Sequence, residues 1–101
     1  MRRAARTDAA HAAIRKGLRK RGYWWCDLFR IGQGVPDALV AHPDWPDVNL
    51  LVEVKSLGGE LTPDEQLFFN DWPGPKIIAF SVWDVIGWFE EHDDKYQVAR
   101  R

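Results

Sequence analysis

The feature that most constrains this chain is a pair of apolar segments, Asp37–His42 (DALVAH) and Val48–Lys55 (VNLLVEVK), separated by Pro43-Asp44-Trp45-Pro46-Asp47. A spacer built from proline and aspartate around one tryptophan cannot continue either segment, so the pair reads as a β-hairpin. Centring the turn on Trp45 fixes the register, because positions equidistant from it lie opposite one another. Asp37 then faces Glu53, Leu39 faces Leu51 and Ala41 faces Asn49. Side chains alternate along a strand, so Lys55 shares the face of Glu53 while Val52 and Val54 point the other way.

The rest of the chain supplies layers for that hairpin. Thr7-Asp8 predicts a helix start and Gly22 its stop, with Ala10, Ala13, Ile14, Gly17 and Leu18 as an apolar stripe. Tyr23–Ile31 (YWWCDLFRI) reads as an aromatic strand broken by Gly32-Gln33-Gly34. Leu57-Gly58-Gly59 ends the second hairpin strand. Thr62-Pro63-Asp64-Glu65 then predicts a helix with Thr62 as cap, Pro63 in the first turn and Glu65 completing a capping box, running to about Trp72. Lys76–Ser81 (KIIAFS) is a short strand. Ser81 and Asp84 open a last helix with Val82, Val85, Ile86 and Phe89 on its buried side, and a charged tail that frays from about His92. The order α-β-β-β-α-β-α predicts an α/β fold, a mixed sheet of about four strands flanked by helices.

A chain of 101 residues fits one domain, 1–101, with a basic arm and helix over 1–22 and a charged tail over 93–101. Hydrophobic residues at 46% and charged residues at 29% argue against a disordered chain. No apolar run reaches membrane-spanning length, and the basic N-terminus lacks the apolar stretch of a secretory signal. Cys26 is the single cysteine, which excludes an internal disulfide and a cysteine zinc cluster and suits the cytoplasm. It is expected to pack in the core, and Trp24, Trp25, Trp72, Trp83 and Trp88 are expected to be mainly core or interface material. His42 and His92 are expected at the surface. The formal charge of -1 conceals a division: residues 1–30 hold nine Lys/Arg against two acids, and residues 31–101 hold five against thirteen. One end is therefore suited to a polyanion.

Two carboxylates and one ammonium converging at one end of an apolar sheet is a costly arrangement, since like charges repel and burial disfavours ionisation. A divalent cation resolves the conflict. Hard oxygen ligands suit Mg²⁺, which also accepts phosphate oxygens and acidifies bound water, and Lys55 could orient that water. A solvated hairpin end with a cross-strand Glu-Lys pair is the simpler alternative. The Gly32-Gln33-Gly34 turn lacks the Gly-Lys-Ser/Thr of a phosphate-binding loop, and no zinc spacing is present.

Gly34-Val35-Pro36-Asp37, Glu53-Val54-Lys55 and Leu61-Thr62 through Gln66 together resemble the PD-(D/E)xK nucleases. Within them the chain is most similar to the small VRR-NUC branch and its stand-alone phage and prophage members, whose pattern is G-x-PD, E-V-K, then L-T-x-x-Q. The resemblance covers roughly residues 7–90 and implies a restriction-endonuclease-like core. It implies that Asp37 and Glu53 hold a catalytic Mg²⁺ or Mn²⁺ with the Val54 carbonyl, that Lys55 assists the attacking water, and that Gln66 projects toward the site. Asp8 and His11 fall where such relatives carry an acid and, three residues on, a glutamine or glutamate; His11 departs from that pattern because it is not a carboxylate. The implied activity is cleavage of DNA, with branched duplex such as a junction or flap as substrate and a homodimer as the active form. Arg2, Arg3, Arg6, Arg15, Arg19, Lys20, Arg21 and Arg30 would contact phosphates, and exposed tryptophans would stack on bases. A non-cleaving nucleic-acid-binding module of the same fold, or a small phage interaction protein, are the alternatives.

Overall fold

A computed structural model describes the backbone of residues 2–100 and the side chains of residues 9–92. Seven elements follow in order: α1 (Arg2–Lys20), β1 (Trp24–Asp27), β2 (Ala38–Ala41), β3 (Leu50–Val54), α2 (Pro63–Asp71), β4 (Lys76–Ala79) and α3 (Val82–Arg100). The strands form one sheet in the order β1-β2-β3-β4, with β1/β2 and β2/β3 antiparallel and β3/β4 parallel. A parallel pair needs a crossover, and α2 provides it. Among the described residues no helix is long and apolar enough to cross a membrane.

The hairpin register is the expected one: Leu39 pairs with Leu51, Ala38 with Val52 and Val40 with Leu50. Period-two alternation then divides the sheet into two faces. Val40, Leu50, Val52 and Val54 point to one face with Trp25, and Ile14, Leu18, Val85 and Phe89 from α1 and α3 complete the core there. Leu18, Val40, Leu50, Val52 and Val85 are fully buried. Leu39, Leu51, Glu53 and Lys55 share the opposite face, away from that core.

Several boundaries differ from the sequence reading. α1 begins at Arg2 rather than Thr7, since Arg-Arg-Ala-Ala-Arg consists of strong helix formers. β1 stops at Asp27 because the chain turns there: Leu28 N–H donates to the Asp37 carbonyl, Ile31 to Leu28 and Val35 to Gly32. Gly32, Gln33 and Gly34 carry φ of 72°, 58° and 81°, a left-handed run that no strand can hold. The C-terminal segment does not fray from His92 but stays helical to Arg100. Asp84 starts that helix, its Oδ2 accepting the N–H groups of Phe80 (2.8 Å) and Ser81 (3.2 Å).

Candidate active site

Asp37 lies one residue before β2, and continuing the register sets it opposite Glu53. The N–H groups of Leu51 and Lys55 donate to the Pro75 and Ala79 carbonyls on the β4 side, so the even-numbered backbone groups of β3 face β2. Val54 should therefore exchange two hydrogen bonds with residue 36. That residue is Pro36, which has no N–H and cannot donate to the Val54 carbonyl. The Asp37 side chain takes the other half of the broken rung, with Oδ2 accepting the Val54 N–H at 2.7 Å. The Pro-Asp pair thus ends the ladder and turns a carboxylate and a main-chain carbonyl toward the same end of the sheet.

Both carboxylates are almost withdrawn from water, Asp37 being 8% and Glu53 3% exposed. Burial raises the Asp37 pKa against the opposing effect of the Val54 N–H bond. Glu53 is pushed up to about 8 by burial first, then by the charges of Asp37 and Glu65. Lys55 lies with Nζ 3.5 Å from Glu53 Oε2 and 2.8 Å from Glu65 Oε1. Burial works against its charge, yet the hydrogen bond it donates to Glu65 and the field of Glu53 raise its pKa. Glu65 itself is lowered: burial opposes ionisation, but hydrogen bonds from Lys55 and the Thr62 N–H outweigh it.

Glu65 is the site residue that sequence reasoning missed, having been read as a cap alone. The capping box is present, with the Thr62 side chain accepting the Glu65 N–H and the Thr62 N–H donating to Glu65 Oε1 at 2.8 Å. Gln66, expected to project toward the site, is exposed and donates from Nε2 to Asn70 Oδ1 at 3.0 Å. One residue along a helix is a rotation of about 100°, which carries Gln66 away from the face that Glu65 presents. The signal was in the spacing: counting L-T-x-x-Q from Leu61-Thr62 lands on Glu65, not Gln66. Gly34 seats this helix against the Pro-Asp loop, for a Cβ there would overlap the Asp64 carbonyl and crowd the Glu65 nitrogen.

His11 is buried, but its Nε2 pairs with Asp27 Oδ1 at 2.8 Å rather than joining Asp37 and Glu53. Trp25 Nε1 donates to the same oxygen at 2.6 Å, and the His11 ring packs edge-on against Trp25 and Phe29. It fastens α1 to β1, while its field still reaches Asp37 and favours the ionised carboxylate. The side chains of Asp8, Arg2, Arg3 and Arg6 lie outside the described residues. Arg15 stands 3.6 Å from Asp27, Arg21 donates to the Gly17 carbonyl and covers Trp83, and Arg30 covers Phe29. Arg19 and Lys20 are exposed. Cys26 is exposed rather than packed, because alternation along β1 turns it and Trp24 away from the core. Trp24 is 72% and Trp83 62% exposed, which excludes a core position for either. His42 is half-buried between Tyr23 and Trp45, and His92 stacks on Trp88.

Among the described residues no three His, Cys, Asp or Glu side chains converge as a metal cage. The donor set is leaner: two buried carboxylates that repel one another, and a carbonyl whose ladder partner is a proline. That set fits a divalent cation that keeps most of its waters, the habit of Mg²⁺. No protein-family model, curated protein or solved structure matches this chain.

Proposed function

We propose that this chain is a Mg²⁺- or Mn²⁺-dependent nuclease of the PD-(D/E)xK type, hydrolysing phosphodiester bonds in branched DNA. The observation that carries the reading is the burial of Asp37 and Glu53 on opposed strands with Lys55 on the same face. Nothing in a stability argument favours two repelling carboxylates there, whereas a cation site needs them. Asp37 and Glu53 would hold the ion with the Val54 carbonyl. The ion would polarise the phosphate and acidify a bound water. Lys55 presents a cation beside them, positioned to hydrogen-bond the attacking water or to offset charge on the phosphate.

DNA as the substrate is supported by the basic N-terminal third of the chain. A preference for branched duplex is supported by Trp24, which stands on the open face of the sheet and lines a shallow pocket with Arg19. An exposed indole beside a guanidinium offers an unpaired base a stacking surface and its phosphate a charge. A homodimer belongs to the same reading, because a junction has two strands to cut and each chain brings one site. The cytoplasm suits the exposed, unpaired Cys26 thiol.

The test is a cleavage panel of single-stranded, duplex, flap and four-way-junction DNA with Mn²⁺, run beside Glu53→Gln. Cutting of the branched substrates, abolished by EDTA and by the substitution with binding retained, is the expected result. Equal salt-dependent binding with no cleavage on any substrate would make the chain a binding module instead. Neither binding nor cleavage would leave the interaction-protein alternative.

A further inference from the structure

We propose that Glu65 is the positioning residue for Lys55, drawing the ammonium toward the start of α2 so that Glu53 shares it at longer range instead of closing on it; this deepens the nuclease reading and rests on it. One oxygen does two tasks. Glu65 Oε1 accepts the Thr62 N–H at 2.8 Å and lies 2.8 Å from Lys55 Nζ, while Glu53 Oε2 is farther from that ammonium at 3.5 Å. The capping box fixes the first oxygen relative to the backbone of α2, and the Gly34 contact fixes that backbone relative to the Pro-Asp loop. A long, flexible lysine is thereby located by the start of a helix rather than by its own strand. Glu53 is already the second partner of that ammonium, and without Glu65 Lys55 would close on it and occupy the oxygens a cation requires.

The two tasks can be separated. Glu65→Gln keeps an oxygen for the Thr62 N–H, since glutamine completes a capping box as well as glutamate, but it removes the charge that holds Lys55. Thr62→Ala removes the cap and leaves Glu65 charged. Asp64→Asn removes one negative charge from the same helix turn, outside the ion-pair network, and controls for net charge. Mn²⁺ affinity is measured by calorimetry for each variant, together with the Lys55 ammonium signal by ¹⁵N NMR in metal-free protein.

Glu65→Gln is expected to stay folded with a modestly lower unfolding temperature, to shift the Lys55 signal and to weaken Mn²⁺ binding about 10-fold, the scale on which losing an outer hydrogen-bond partner of a metal site is felt. Cleavage should fall with it and recover in part at high Mn²⁺. Thr62→Ala, which keeps the Thr62 N–H donor to Glu65 Oε1, should lower the unfolding temperature with a much smaller loss of Mn²⁺ affinity than Glu65→Gln, and Asp64→Asn should change neither the affinity nor the Lys55 signal by a comparable amount. The proposal is overturned if Glu65→Gln leaves the Lys55 signal in place, or if Asp64→Asn weakens Mn²⁺ equally. A parent protein that binds Mn²⁺ without cutting DNA removes the nuclease reading, while the Lys55 signal still decides the role of Glu65.

Discussion

Glu53 is the least exposed of the buried polar and charged residues described, and its behaviour without metal is therefore informative. Its pKa rises from 4.5 in the unfolded chain to about 8 in the folded one, so the folded state binds the proton more tightly. The protonated form costs nothing below pH 4.5. Between there and about 8 the unfolded chain ionises first, and stability is lost as the pH rises. Glu53→Gln should abolish that slope and raise the stability of the metal-free protein at pH 8.5 by about 2–4 kcal/mol, read from urea midpoints. A parent protein as stable at pH 8.5 as at pH 5 would contradict the environment described for Glu53. Gly34 gives a second residue-scale test. Gly34→Ala meets both a φ of 81° and the Asp64 backbone, whereas Gly58→Ala meets a φ of 84° in open space. The first should cost about 2–3 kcal/mol and the second about 1 kcal/mol. Asp37, Glu53 and Lys55 were legible in the sequence because strand alternation and a proline-bounded turn are local facts. Glu65 was not, because one side chain serving both a cap and an ion pair is visible only when α2 and β3 are side by side. For His11 the resemblance implies a place at the site, while its position on the stripe of Ile14 and Leu18 equally suits a half-buried structural histidine, and the contact with Asp27 gives it the second role.

At the scale of elements, α2 is held by its first turn. None of its residues is buried, so the capping box, the Gly34 contact and the Glu65–Lys55 pair anchor it where a core would otherwise do so. Thr62→Ala should accordingly cost about 1 kcal/mol and, more tellingly, speed amide exchange over residues 66–72 well beyond the change elsewhere. Uniform acceleration across the sheet would show that α2 is anchored in some other way. β1 is the element that misled most. Its aromatic run promised a long buried strand, but an edge strand of four residues buries one face only and sets Trp24 and Cys26 outside. Trp24→Ala should leave stability within about 0.5 kcal/mol while weakening binding of DNA with unpaired nucleotides about 10-fold, and fully paired duplex much less. An equal loss on both substrates would remove Trp24 as a stacking surface. A change of oligomeric state would assign it to a contact between copies of the chain.

At the scale of the whole molecule, element order and the hairpin pairing of β2 with β3 were legible because turns are marked by proline or glycine and α2 and α3 by their caps. Element ends were less so: strong helix formers before Thr7 extended α1 past its expected start, and α3 runs on to Arg100. The division of charge along the chain survives folding only in part, since Arg15, Arg21 and Arg30 spend contacts within the protein. The central claim is that Asp37 and Glu53 jointly bind a divalent cation, and calorimetric titration of Mn²⁺ at pH 7 in two buffers of different ionisation enthalpy tests it most directly. One ion per chain is predicted, taken up with release of close to one proton as Glu53 ionises, and lost in both Asp37→Asn and Glu53→Gln. Uptake that survives both substitutions, or none in the parent protein, would contradict it.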